Sequence, residues 1–179
     1  MTNSIRDIAH DSQCIFIIGS NVTEQHPVIG TKIRWAKRHR GTKLIVADPR
    51  RIDIADYADL HLRHKPGTDI ALLNGLMHII LREGWQDEAF INERTEDFAE
   101  LKTVLEKYTP LVTSDITGVP VDELEKAARL MTEHRPGALL YAMGITQHTT
   151  GVPNVMSCAN LQMMLGNMGM PGGGVNPLR

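Results

Sequence analysis

CIFIIGSNVTEQHPVIGTKIRWAKRHRGTKLIVADPRR, residues 14–51, holds the fold in miniature. Its first five residues, CIFII, are an unbroken apolar run closed by Gly19, the pattern of a strand buried on both faces. Pro27 then opens a helix through Arg40. Val28, Ile29, Ile33 and Ala36 form its apolar face, with Lys32, Lys37 and Arg38 opposite. Gly41 stands where a helix C-cap is expected, and LIVA at 44–47 is a second buried strand ending at Asp48-Pro49. Strand, helix, strand with apolar strands throughout is a parallel crossover unit.

The remaining chain extends this unit. Residues 50–58 read as a short helix or irregular crossover, and LHL at 60–62 as a third strand. A helix over 69–83 buries Ile70, Leu73, Leu76, Met77 and Ile80. Two amphipathic helices follow over 87–93 and 96–107, stopped by Thr109-Pro110. A helix over 121–134, a fourth strand ALLYA at 138–142 and a helix over 153–168 complete the series. Alternating strands and helices predict a three-layer α/β fold: a parallel, Rossmann-like sheet with helices on both faces, in a single domain over 1–179. Right-handed crossovers point all strand C-termini one way, and ligands sit there, where strand order reverses.

Composition narrows the function classes. With 42% hydrophobic and 22% charged residues and a net charge of -2, the chain has no general attraction for nucleic acid or acidic membranes. No apolar run approaches the roughly 20 residues of a membrane span. MTNSIRDIAHD at the N-terminus lacks the layout of a secretory signal, so a cytoplasmic, reducing compartment is expected. Cys14 and Cys158 are isolated, which argues against a disulfide framework, a Cys-based zinc site or an iron–sulfur cluster, and both read as packed small hydrophobes. The histidines lack paired-helix spacing, and no metal site is assigned.

Four strand-end loops carry the candidate site. Gly19, Ser20 and Asn21 follow the first strand, and a glycine there lets backbone approach a phosphate. A full G-x-G-x-x-G is absent. Asn21, Glu24 and His26 are candidates for ribose or base, or the segment is simply a helix-capping loop. Asp48 lies where dinucleotide folds place an acid on ribose hydroxyls; the alternative is a turn aspartate before Pro49. Arg50 and Arg51 suit phosphate or surface acids. In the third loop Pro66 and Gly67 turn the chain, and Thr68 or Asp69 either caps the next helix or, as a carboxylate, accepts two N–H bonds from a guanine edge. In the fourth, Met143, Gly144 and Gln147 offer a thioether, a flexible backbone and an amide to a heterocycle. PGGGVNPLR at 171–179 has little fold-building value and ends on Arg179, a cation suited to an anionic carboxylate. That ending is expected of a larger polypeptide cut at a binding loop.

GSNVTEQHPVIG, IVADPRRIDIADYADLHL, KPGTDIALLNGLMHII and AMGITQHTTGVPNVMSCANLQMMLGNMGMPGGGVNPLR, in this order and spacing, resemble the catalytic alpha subunits of the formate dehydrogenases, within the molybdopterin oxidoreductase family. The resemblance spans nearly the whole chain. It implies an internal domain that holds one arm of a bis-(molybdopterin guanine dinucleotide) cofactor with molybdenum or tungsten. Gly19 to Gln25 with His26, then Asp48, Pro49 and Arg50, then Gly67, Thr68 and Asp69 match its dinucleotide loops. The third of these reads the guanine in that family. Met143 and Gln147 match positions on the pterin side, and Arg179 the arginine near the metal that orients formate. The implied reaction is oxidation of formate to carbon dioxide, with electrons passing through iron–sulfur clusters bound outside these residues to electron-transfer subunits.

The N-terminal cluster segment, the metal-ligating cysteine or selenocysteine and the C-terminal pterin domain have no counterpart in the chain. The isolated chain is therefore expected to be inactive, to hold no cofactor by itself, and to self-associate through faces meant for its sister domains. Two other readings stand beside this one. One is a self-contained nicotinamide- or flavin-dependent dehydrogenase. The other is a non-catalytic docking module using the methionines Met156, Met163, Met164, Met168 and Met170.

Overall fold

The structure, a computed structural model, describes residues 3–178. Strands β1 (Cys14–Ile18), β2 (Lys43–Ala47), β3 (Leu60–Leu62), β4 (Gly137–Tyr141) and β5 (Gly174–Pro177) form one all-parallel sheet in the order β3-β2-β1-β4-β5. The first three build outward from β1 on one side, and the chain then crosses to β4 on the other. Strand order thus reverses between β1 and β4. Cys14 to Ile18 pair in register with Lys43 to Ala47 on one edge and with Gly137 to Tyr141 on the other, so β1 is the central strand.

Alternation along β1 divides the core. Cys14, Phe16 and Ile18 point to one face, Ile15 and Ile17 to the other, as the two-residue period of a strand requires. The first face is covered by α4 (Asp69–Arg82), α8 (Val121–Glu133) and α10 (Gly151–Met164), which bring Leu72, Leu76, Leu124, Ala128 and Leu161 to the sheet. The second is covered by α1 (Ile5–His10), α3 (Pro27–Arg40) and a 3-10 turn over Asp53–Tyr57, through Ile8, Ile29, Ile33 and Ile54. Every residue of β1 is buried, and each aliphatic side chain so placed contributes about 1.5–3 kcal/mol. The layers are those expected from the strand–helix alternation.

Further helices are α2 (Val22–Gln25), α5 (Glu88–Arg94), α6 (Phe98–Leu105), α7 (Pro110–Thr117) and α9 (Met143–Thr146). Among the described residues no helix is long and apolar enough to cross a membrane. Several elements depart from the sequence expectation. Thr109-Pro110 begins a helix rather than ending one, the preceding helix having stopped at Leu105: Thr109 Oγ1 accepts from the Val112 amide at 3.4 Å, and proline fits the first turn because its missing N–H has no partner there. Helix α1 is fixed by a capping box, with the Asp7 amide donating to Ser4 Oγ (3.1 Å) and the Ser4 amide to the Asp7 carboxylate (2.9 Å). Val28, assigned to the apolar face of α3, is 65% exposed.

The largest departure is the glycine-rich tail. Part of it is a strand, with Ala138 to Tyr141 paired to Gly174 to Pro177. Asn176 is fully buried and secures this edge. Its Nδ2 donates to the carbonyls of Gly174 (3.1 Å) and Gly173 (3.2 Å), and its Oδ1 accepts from the Asn3 amide (3.1 Å). A segment with almost no β-forming composition is held as a strand by these bonds and by β4.

Candidate functional site

The loop after β1 and the loop after β4 touch through backbone. Gly19 has φ of 58°, and its carbonyl accepts from the Gly144 amide at 3.0 Å. A Cβ on Gly19 would lie 2.7 Å from the Gly144 carbonyl carbon, and one on Gly144 would lie 2.7 Å from the Gly19 Cα. Only two glycines allow this approach, which closes the floor between the C-terminal ends of β1 and β4. Above it opens a cleft of about 510 Å³, at the reversal point of the strand order.

The four loops named from the sequence meet around this cleft. Gly19, Ser20 and Asn21 come from the first, Asp48, Pro49 and Arg50 from the second, Gly67 and Asp69 from the third, and Met143, Gly144 and Gln147 from the fourth. Glu24 and Thr68 lie off its wall, while His26 lines an adjoining apolar cleft of about 700 Å³ with Tyr141, Ala142, Pro177 and Leu178. Gln25 and Met143 border both. Arg179 lies outside the described residues. Four further residues line the main cleft: Gln25, Pro66, His64 and His148. His148 rests on the Gly144 carbonyl, with Nε2 at 2.8 Å.

Asp48 follows β2 directly, with its side chain almost wholly buried. Its Oδ1 accepts from the Arg50 amide at 2.8 Å, and the Arg50 guanidinium lies 3.6 Å away with most of its surface in solvent. The turn-forming role is therefore realised, and the carboxylate still borders the cleft. Arg51 points elsewhere and pairs with Asp56 at 2.8 Å. In the third loop Thr68 does not cap α4: its hydroxyl donates to the Lys65 carbonyl at 2.6 Å, closing the turn around Gly67, whose φ is 79°. Asp69 opens α4, is 5% exposed, and meets His64 Nε2 at 3.0 Å.

Cys158 of α10 lies behind this loop. Burial, reinforced by the charge of Asp69, pushes its thiol up to about 12. Burial does the same for Cys14, reinforced by Asp59 and opposed by Lys43. Neither is an available nucleophile at neutral pH. Among the described residues no group of three or more His, Cys, Asp or Glu side chains is placed to hold a metal ion. The cleft offers backbone at Gly19, acceptors at Asp48 and Asp69 and a cation at Arg50, a set suited to binding a nucleotide.

The chain is 53% identical over 179 residues to the F420-dependent formate dehydrogenase 1 subunit alpha of Methanococcus maripaludis, covering all of this chain and 26% of that protein. It is 42% identical over the same length to formate dehydrogenase H of Escherichia coli, covering 25% of it. The chain thus spans about a quarter of the length of these relatives. Acetylene hydratase from Pelobacter acetylenicus superposes with a TM-score of 0.84 at 28% identity, over 92% of this chain and 24% of that one. The model of the molybdopterin oxidoreductase family matches residues 1–179 in full, and the chain belongs to that family.

Proposed function

We propose that the main cleft holds the guanine nucleotide end of one arm of a bis-(molybdopterin guanine dinucleotide) cofactor, in a subunit that oxidises formate to carbon dioxide. The carrying observation is the placement of two buried carboxylates, Asp48 and Asp69, on one cleft at the strand-order reversal. Further support comes from Ser20 Oγ and Asn21 Oδ1, buried beside the cleft with no hydrogen-bond partner among the described residues. Polar atoms left so are costly unless a ligand completes them.

In this reading each loop has one task. Gly19 lets backbone come close to phosphate, and Arg50 balances phosphate charge from the open side. Asp48 accepts from ribose hydroxyls, and Asp69 from the two adjacent N–H groups on the guanine edge. The adjoining apolar cleft, with His26 and Met143, takes the flat pterin. Arg179 sits one residue beyond its Leu178 wall in sequence and orients formate by a two-pronged bond to its carboxylate. The bound cofactor supplies two-electron redox chemistry at molybdenum or tungsten, which no side chain of this chain provides. Residues 1–179 act as one α/β domain, cytoplasmic, working with the other domains of its subunit and with iron–sulfur partners.

Formate is preferred as the substrate because identity to the formate dehydrogenases is well above that to acetylene hydratase, although the fold is shared. Fold alone does not choose a substrate. Calorimetric titration of the chain with GMP and GDP tests the nucleotide reading. Weak saturable binding is expected, abolished in Asp69→Ala and unchanged in Glu24→Ala. A chain that takes up no guanine nucleotide sinks it. Without the remaining subunit, formate oxidation with artificial acceptors is expected to be nil.

A further inference from the structure

We infer that His64 is a positioning residue for base selection: it fixes the plane of the Asp69 carboxylate so that both oxygens meet a purine edge carrying two adjacent N–H donors. The inference rests on the nucleotide reading of the cleft and adds to it a residue that recognises nothing directly.

His64 is 3% exposed, on the loop between β3 and α4. Nε2 donates to Asp69 Oδ1 at 3.0 Å, while Nδ1 is buried with no hydrogen-bond partner among the described residues. A buried imidazole is costly unless both nitrogens are satisfied, and a leucine would fill similar space without that cost. What histidine supplies beyond packing is its hold on Oδ1. The hydroxyl of Thr68, next to Asp69 in the chain, is committed to the Lys65 carbonyl. With its backbone fixed as the first residue of α4, Asp69 retains the broad, two-fold rotation of its terminal carboxylate, and the bond from His64 selects one orientation.

The chemistry of the purine edge makes this selective. Guanine presents N1–H and a 2-amino group side by side, matching two carboxylate oxygens, because Oδ1 keeps a lone pair free beside its bond to His64. Hypoxanthine lacks the 2-amino group and engages one oxygen only. Adenine sets an N1 lone pair against the carboxylate. A carboxylate free to rotate loses the paired geometry and, with it, the advantage of the 2-amino group.

The test compares GMP, IMP and AMP by isothermal titration against the full chain and three variants, with thermal unfolding to verify folding. The GMP and IMP phosphates and ribose are identical, so their affinity ratio isolates the 2-amino contact. The native chain is expected to prefer GMP over IMP by about tenfold and to bind AMP weakest. His64→Leu brings the GMP:IMP ratio close to one while remaining folded. His64→Gln, whose amide nitrogen reaches about as far as Nε2, restores the preference. His64→Asn, with a shorter reach, behaves like the leucine variant and serves if that one does not fold. A wild-type ratio in His64→Leu or His64→Asn, or no rescue by His64→Gln, overturns the role of His64 while leaving the nucleotide cleft in place. Absence of GMP binding by the native chain instead removes the cleft reading, and this inference with it.

Discussion

Replacing Gly19 by alanine tests whether the cleft floor depends on the close approach of two loops. Two separate costs arise at this position. Its φ of 58° is left-handed, which costs an L-residue roughly 1–2 kcal/mol. The new Cβ would also lie 2.7 Å from the Gly144 carbonyl carbon and 2.9 Å from the Ile145 amide nitrogen. Both are backbone atoms at the start of α9, so relief requires moving one loop, at about 1–3 kcal/mol. The sum is about 2–5 kcal/mol. Gly67 provides the control, since its φ is 79° and a Cβ there meets nothing within 4 Å. Gly67→Ala therefore carries only the conformational part. The gain from a stiffer unfolded chain applies to both variants and cancels in their difference. That difference, about 1–3 kcal/mol, corresponds to roughly 3–9 °C in Tm for a chain of this size. Thermal unfolding followed by circular dichroism, with denaturant titration as a second measure, reads it directly. If Gly19→Ala and Gly67→Ala melt together, the loops are not in backbone contact and the cleft has no such floor.

Three other predictions address the scaffold. Cys14 and Cys158, with thiols pushed up to about 12, should resist disulfide-exchange reagents at pH 8 until the chain unfolds, when both react. Because the folded values lie above the unfolded ones, their contribution to stability is full below about pH 9 and falls toward pH 12, by about 3 kcal/mol per pH unit for the two together; a flat alkaline stability profile would contradict this. Asp59 is partly buried, which raises its pKa, but bonds from Lys37 Nζ (2.6 Å) and the Leu44 amide (2.8 Å) outweigh burial and hold its carboxyl below the usual range. Asp59→Asn should cost about 1 kcal/mol at pH 7, a loss that shrinks as pH drops below about 4, where the unfolded chain takes up a proton at this carboxyl before the folded one does, and vanishes once pH has fallen through the lower folded value; denaturant titrations at pH 7 and pH 3 compare the two. Asn176→Ala should cost about 2–3 kcal/mol and raise amide exchange along β5 more than along β1, because it removes the bonds to the Gly173 and Gly174 carbonyls and the acceptor of the Asn3 amide; equal exchange in both strands would mean that β4 alone holds the edge.

Legibility in the sequence followed the physical origin of each element. CIFII, LIVA and ALLYA are strands because their own side chains exclude water on both faces, and such runs can be read without neighbours. Once these strands are parallel, their following loops must share an edge, so Gly19, Asp48, Asp69 and Gly144 could be brought together from sequence spacing. GVNP at 174–177 has no such internal cause. It is a strand because β4 pairs with it and Asn176 ties it down, both of which are tertiary facts. The role of His64 is not legible in the sequence for a related reason. A histidine five residues before an aspartate carries no standard spacing, and only the turn closed by Thr68 and Lys65 folds one onto the other. The signal that was available is the histidine itself, a costly residue in a position that ends buried.

The affinity to expect of this cleft follows from what it contains. It holds acceptors, a cation and close backbone, while both described thiols are buried and inert, so its residues can orient a ligand and leave the chemistry to the ligand. GMP has about 24 non-hydrogen atoms, and at about 0.3 kcal/mol per atom its binding free energy is bounded near -7 kcal/mol, a Kd of about 10 μM. An open cleft that covers one side of the nucleotide should fall short of that bound, between roughly 10 μM and 1 mM. Weakness of this order is compatible with tight retention of a two-armed cofactor. If the chain is one quarter of a subunit, each further arm contact becomes intramolecular, and modest contributions multiply through effective concentration. A nanomolar Kd for GMP on this chain alone would contradict the argument, because it would make the cleft a complete nucleotide site in its own right.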